Sequence, residues 1–198
     1  HLQVAQLGQR LAAQTWPGRR KQRRKLVAYL VRRLRKTHDA ALALDMDDLE
    51  GGLHEFRRKV RWLSIYAAAL DGAVTLDDGV AAPPGWSRYL TDAVLGGPFA
   101  NLRQPDPETE PVLVPAPLFY ALSWLIADLG EVKDRAQWTA TLAAGLRATG
   151  HPGQPAQWLG DAALDHHAAG AHARSVLAQV LVQDSLLLRM ADALAVQA

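Results

Sequence analysis

A chain of 198 residues, 49% of them hydrophobic and 21% charged, is long enough to bury one sizeable core without covalent staples. It has no cysteine, which excludes disulfides, thiolate metal sites and cysteine nucleophiles, and no apolar run approaches the roughly 20 residues of a membrane-spanning helix. The net charge of +2 conceals an asymmetry: 15 of the 22 Lys and Arg residues, but only six of the 20 Asp and Glu, fall within residues 1–70, so that third is +9 and the remainder −7.

In chain order, residues 2–14 read as a short helix without a signal-peptide pattern, stopped by Trp16-Pro17-Gly18. A helix follows at about 20–43, where Leu26, Val27, Leu30, Val31 and Leu34 recur at i, i+1, i+4, i+5 and i+8, the spacing of a buried stripe. Asp45, Asp47 and Asp48 offer capping chemistry for the next helix, about 53–70. In that helix Leu53, Phe56, Val60, Leu63, Ala67 and Leu70 form a seam at steps of three and four. Residues 71–116 hold seven prolines and read as a long excursion around the outside, with one short helix near 87–95. Helical patterns return at about 117–129, 135–148, 155–167 and 171–196. No segment alternates as a strand does, and no glycine-rich phosphate loop, GxSxG elbow or HExxH pair is present. The expectation is a single all-α domain, a helical bundle with a proline-rich excursion.

The basic residues fall in a pattern. His54, Arg57, Arg58 and Arg61 stand at i, i+3, i+4 and i+7, which puts four side chains on one helical face beside the apolar seam, with Glu55 as the acidic neighbour. A solvated face is better served by mixed signs, whereas the forked guanidinium matches phosphate oxygens. In the preceding helix Arg24, Arg32 and Arg35 lie close to one line, with Lys36 beside them, opposite part of the Leu/Val stripe. If the two helices pack as antiparallel neighbours, their basic faces flank a groove suited to a linear polyanion.

The segment Leu53-His54-Glu55-Phe56-Arg57-Arg58-Lys59-Val60-Arg61-Trp62-Leu63 resembles the signature helix of the CHAD domain, the conserved-histidine α-helical domain. Leu129-Gly130-Glu131-Val132-Lys133-Asp134 resembles that family's next recurrent element, a Leu-Gly helix end followed by a basic residue and an aspartate. The chain departs from the pattern at Trp62 and Ser64, where members commonly carry basic residues. It also offers one good copy of a motif that the family generally carries twice; Arg32-Arg33-Leu34-Arg35 echoes part of a second, with Lys25 in place of its histidine. The resemblance implies non-catalytic binding of inorganic polyphosphate by a cytoplasmic protein without cofactor or metal. The implied site is His54, Arg57, Arg58, Arg61 and Lys133; Arg24, Arg32, Arg35 and Lys36 are added from charge placement.

Two other readings compete. The same helices suit a nucleic-acid backbone, although Trp62 and Tyr66 are expected toward the apolar side and no aromatic stacking platform interleaves the arginines. Asp161, Asp165, His166, His167 and His172 form the densest set of potential metal ligands, as a helical-bundle metalloenzyme would need, but the paired Glu-x-x-His motifs of di-iron bundles are missing. Six scattered tryptophans read as core and loop anchors.

Overall fold

The computed structural model describes residues 19–44, 52–69, 74–97, 110–148 and 167–197. Helix α1 (Arg19–Leu42) buries Val27, Leu30 and Leu34 of the expected stripe, and α2 (His54–Ala69) follows Leu53 with Phe56 and Val60 turned inward. The expected helix at 2–14, the caps at Asp45, Asp47 and Asp48, and the helix at 155–167 except for its final residue lie outside the described residues.

The proline-rich excursion does not simply wrap the outside. Strands β1 (Val74–Asp77) and β2 (Val112–Pro115) pair in parallel, with Val74 opposite Val112 and Asp77 opposite Pro115. A parallel pair cannot be closed by a tight turn, so a long crossover between the strands is a geometric requirement. Among its described residues that crossover holds a 3-10 turn, Trp86–Tyr89, and a short helix, α3 (Asp92–Leu95). Val74, Trp86, Tyr89, Val112 and Val114 all belong to the hydrophobic core, with at most 4% of their surface exposed. Sequence reasoning missed the strands because each is four residues long, below the length at which alternation becomes legible.

Helix α4 (Ala116–Ala148) is continuous where the sequence suggested two helices separated near Gly130. Pro117 sits in its first turn, where a missing N–H costs nothing. The C-terminal pattern shows the reverse. In place of one helix over 171–196 there is α5 (residues 167–177), a π-helical turn at Ala178–Gln183, and α6 (Leu186–Ala195). Between them Ser185 takes a left-handed conformation at φ 51°. This break is set by Asp184, whose carboxylate accepts hydrogen bonds from the Arg88 guanidinium and the Tyr89 hydroxyl of the 3-10 turn.

α1 packs chiefly along α6, α2 against α4 and α1, and the strand pair lies between α6 and α4. The core they enclose runs from Val27 through Phe56, Phe119 and Leu125 to Leu187 and Leu194. The fold is an all-α bundle with one small parallel strand pair. No described helix is long and apolar enough to cross a membrane.

Candidate anion-binding groove

The basic residues of α1 divide by what they touch. Arg23 is structural: its Nη1 donates to the Gln197 carbonyl at 2.9 Å and its Nε to the Pro111 carbonyl at 3.4 Å, tying α1 to the chain end and to the residue before β2. Arg35 reaches across to Asp192 on α6 at 3.2 Å, with both side chains more than half exposed. Arg24, Arg32 and Lys36 are exposed. Arg35 thus faces α6, and none of these α1 residues is among those lining the groove between α2 and α4.

That face of α2 is graded by depth. Arg57 stands nearest the core, and its guanidinium lies flat against Gly130 of α4, where a methyl group would sit 2.9 Å from Nη2 and 3.4 Å from Nε. Its Nε is buried with no hydrogen-bond acceptor, an arrangement that costs about 1–3 kcal/mol. His54, Arg58 and Arg61 are exposed. Arg58 Nη2 pairs with Glu55 at 2.8 Å and Lys59 Nζ lies 3.8 Å from the same carboxylate. The Arg58 hydrogen bond holds the Glu55 carboxyl below its usual range. Glu55 therefore offsets part of the positive charge that the spacing suggested.

Between α2 and α4 opens a groove of about 450 Å³ lined by His54 and by Lys133, Gln137 and Thr141 with three alanines of α4. These α4 residues recur one turn apart, and the alanines keep the floor low. Lys133 is largely covered and lies 3.5 Å from Asp134. The four residues expected on one face of α2 differ in setting: His54 lines this groove, Arg57 is packed on Gly130, and Arg58 and Arg61 are exposed. Gln137 and Thr141 went unnoticed in the sequence, where only their one-turn spacing from Lys133 could have pointed to them.

Two further expectations are revised. Trp62 is 43% exposed on the solvent side of α2, not on the apolar seam, and Trp138 on α4 is 65% exposed, so neither is a core anchor. Of the proposed metal ligands, Asp161, Asp165 and His166 lie outside the described residues, His167 is exposed, and His172 is hydrogen-bonded to Asp128. Among the described residues no three such groups converge.

Fold and site together define a class: a helical bundle with a groove bordered by basic side chains from two helices. No protein-family model, curated protein or solved structure matches the chain.

Proposed function

We propose that this protein is a CHAD-like, non-catalytic binder of inorganic polyphosphate or a similar linear polyanion. One observation carries the reading. The two segments that resemble the family's motifs are far apart in sequence, yet the Arg57 guanidinium rests on Gly130 while His54 and Lys133 border one groove. A polyanion seated there would meet Lys133 and His54 first and run outward past Arg61 and Arg58. Each charge-assisted arginine–phosphate contact is worth about 1.5–3 kcal/mol before screening. The same reading assigns the protein to the cytoplasm and calls for no cofactor.

Titration with labelled polyphosphate tests it. Reversing charge at Arg57 and Arg61 together, Arg57→Glu with Arg61→Glu, is expected to abolish binding while circular dichroism stays helical, and the exposed single change Arg61→Glu to weaken it. Unchanged affinity and salt dependence in the double variant would refute the proposal.

Nucleic-acid binding is the second reading, and exposed Trp62 favours it. This indole stands next to Arg61 and one turn from Arg58, as a stacking base would require. Competition of labelled DNA by polyphosphate and heparin separates the two. A polyanion groove ranks competitors by charge density, and Trp62→Phe barely alters it; a stacking site prefers DNA and loses affinity on Trp62→Ala.

A further inference from the structure

The groove between α2 and α4 takes up none of the cations of α1. Arg20, Lys21, Arg24, Lys25, Arg32 and Lys36 are all exposed, and among the described residues they enter no hydrogen bond or ion pair. The carboxylates that meet this helix are already engaged. Asp192 is held by Arg35 at 3.2 Å, and Asp39, beyond the end of the basic run, lies 3.5 Å from His38 Nδ1. Positive charge therefore stands in excess on this face, and it rests on lysine and arginine alone.

The cations are also arranged. At 3.6 residues per turn they fan over about 160° of the helix surface. Arg20 and Arg24 form one flank, and Lys25, Arg32 and Lys36 form the other. Between the flanks stand Lys21, in the first turn, and Ala28, an exposed methyl near the middle of the run. From Arg20 to Lys36 the run covers about 24 Å of helix axis. The opposite side of α1 buries Val27, Leu30 and Leu34, so the core holds this face in a fixed direction.

Two cationic flanks with a low midline match a channel walled by phosphates on both sides. The major groove of B-form DNA is about 12 Å wide, the diameter of a helix with its side chains. A flat anionic surface meets only the crest of a helix and leaves the flanks unmatched. A bilayer gains nothing further, because the apolar stripe of α1 is committed to the core. A single strand offers one wall where the helix presents two flanks.

We infer that the exposed face of α1 binds double-stranded DNA, its flanks on the phosphates of the two strands and Ala28 over the groove floor. These contacts are to the backbone, which carries no sequence information, so binding is independent of sequence. The site is separate from the groove between α2 and α4 and does not depend on what that groove binds.

A labelled DNA duplex of about two helical turns is the probe, titrated into the full chain by fluorescence anisotropy. Duplex RNA and single-stranded DNA of the same length are run in parallel. Duplex RNA has a comparable phosphate backbone but a major groove too narrow to enter. Duplex DNA is expected to bind at least about tenfold more tightly than either. Five or six phosphate contacts give a slope of about −5 in log affinity against log salt. Arg24→Gln with Arg32→Gln, one exposed residue from each flank, should flatten that slope by about two. Ala28→Glu, a carboxylate on the midline, should weaken binding about tenfold. The comparison of ligands uses the unmutated chain, so it stands whether or not a variant folds. Duplex RNA bound as tightly as duplex DNA would mean that charge alone is read, and a single strand bound as tightly would point to stacking at Trp62. Either result, an unmoved slope in the folded double variant, or displacement of the duplex by phosphatidylserine vesicles at equal charge would overturn the assignment.

Discussion

Gly130 occupies a helix interior, where glycine is less stable than alanine by about 1 kcal/mol. The Arg57 guanidinium accounts for it, because a methyl group there would stand 2.9 Å from Nη2. The obstructed atom is the far end of a flexible side chain, so the helix tolerates the change and the arginine moves. Gly130→Ala is therefore expected to keep or raise the melting temperature while weakening polyphosphate binding about three- to tenfold, read by thermal denaturation and titration of the same sample. A second residue-scale prediction concerns Tyr89. Burial, reinforced by its bond to Asp184, pushes the phenol up to about 12. Burial opposes ionisation of Asp184, but the hydrogen bonds from Tyr89 and Arg88 outweigh it and hold this carboxyl below its usual range. A raised folded pKa keeps its stabilisation below the unfolded value near 10 and loses it as pH rises toward 12. A lowered one keeps it above the usual carboxylate range and loses it as pH falls through the lowered value. Urea unfolding across both limbs should show both losses, and Tyr89→Phe should reduce each, leaving on the alkaline side the part due to Tyr120, which burial also raises.

At the scale of elements, a single side chain closes the strand pair. Gln197, just past α6, accepts from the Leu113 N–H at 2.8 Å and donates to the Leu113 carbonyl at 2.6 Å, taking the place of a third strand at the edge of β2. An unpaired edge of this kind invites pairing with another chain. Gln197→Ala is expected to cost about 1–2 kcal/mol in denaturant unfolding and to speed hydrogen exchange at the Leu113 amide; unchanged exchange would mean that solvent caps the edge equally well. The α2–α4 contact rests on apolar packing. Phe56, 1% exposed, should cost about 3–5 kcal/mol on Phe56→Ala, more than any single basic residue of the same helix.

Across the described residues, the basic side chains of α1 and α2 stand on helices with different main neighbours, α6 for α1 and α4 for α2. Polyphosphate affinity should fall steeply with added salt, and Lys133→Glu should flatten that dependence more than Lys36→Glu, because Lys133 borders the groove and Lys36 does not. Two such basic faces repel each other, so self-association is expected through apolar surface with the basic faces open. Light scattering with and without polyphosphate checks this: a dimer that forms only with the anion would mean that the basic faces pair across it.

The sequence by itself determined the helices, because a burial stripe is written in local spacing: Val27, Leu30 and Leu34, or Leu53, Phe56 and Val60, lie within two turns of one another. It also placed His54 on a helix, whereas Lys133 fell between two expected helices that the structure joins into one. It could not reveal which cations were already engaged. Arg23 is tied to Gln197, Arg35 to Asp192 and Arg88 to Asp184, partners that lie from 96 to 174 residues away and are chosen by helix packing. The same holds for backbone continuity. Gly130 reads as a stop until Arg57 lies against it, and residues 171–196 read as one helix until Arg88 and Tyr89 draw Asp184 out of line. Local periodicity fixes what a segment is. Only the tertiary structure decides which polar groups meet, since a hydrogen bond depends on ångström distances between residues that no pattern along the chain relates.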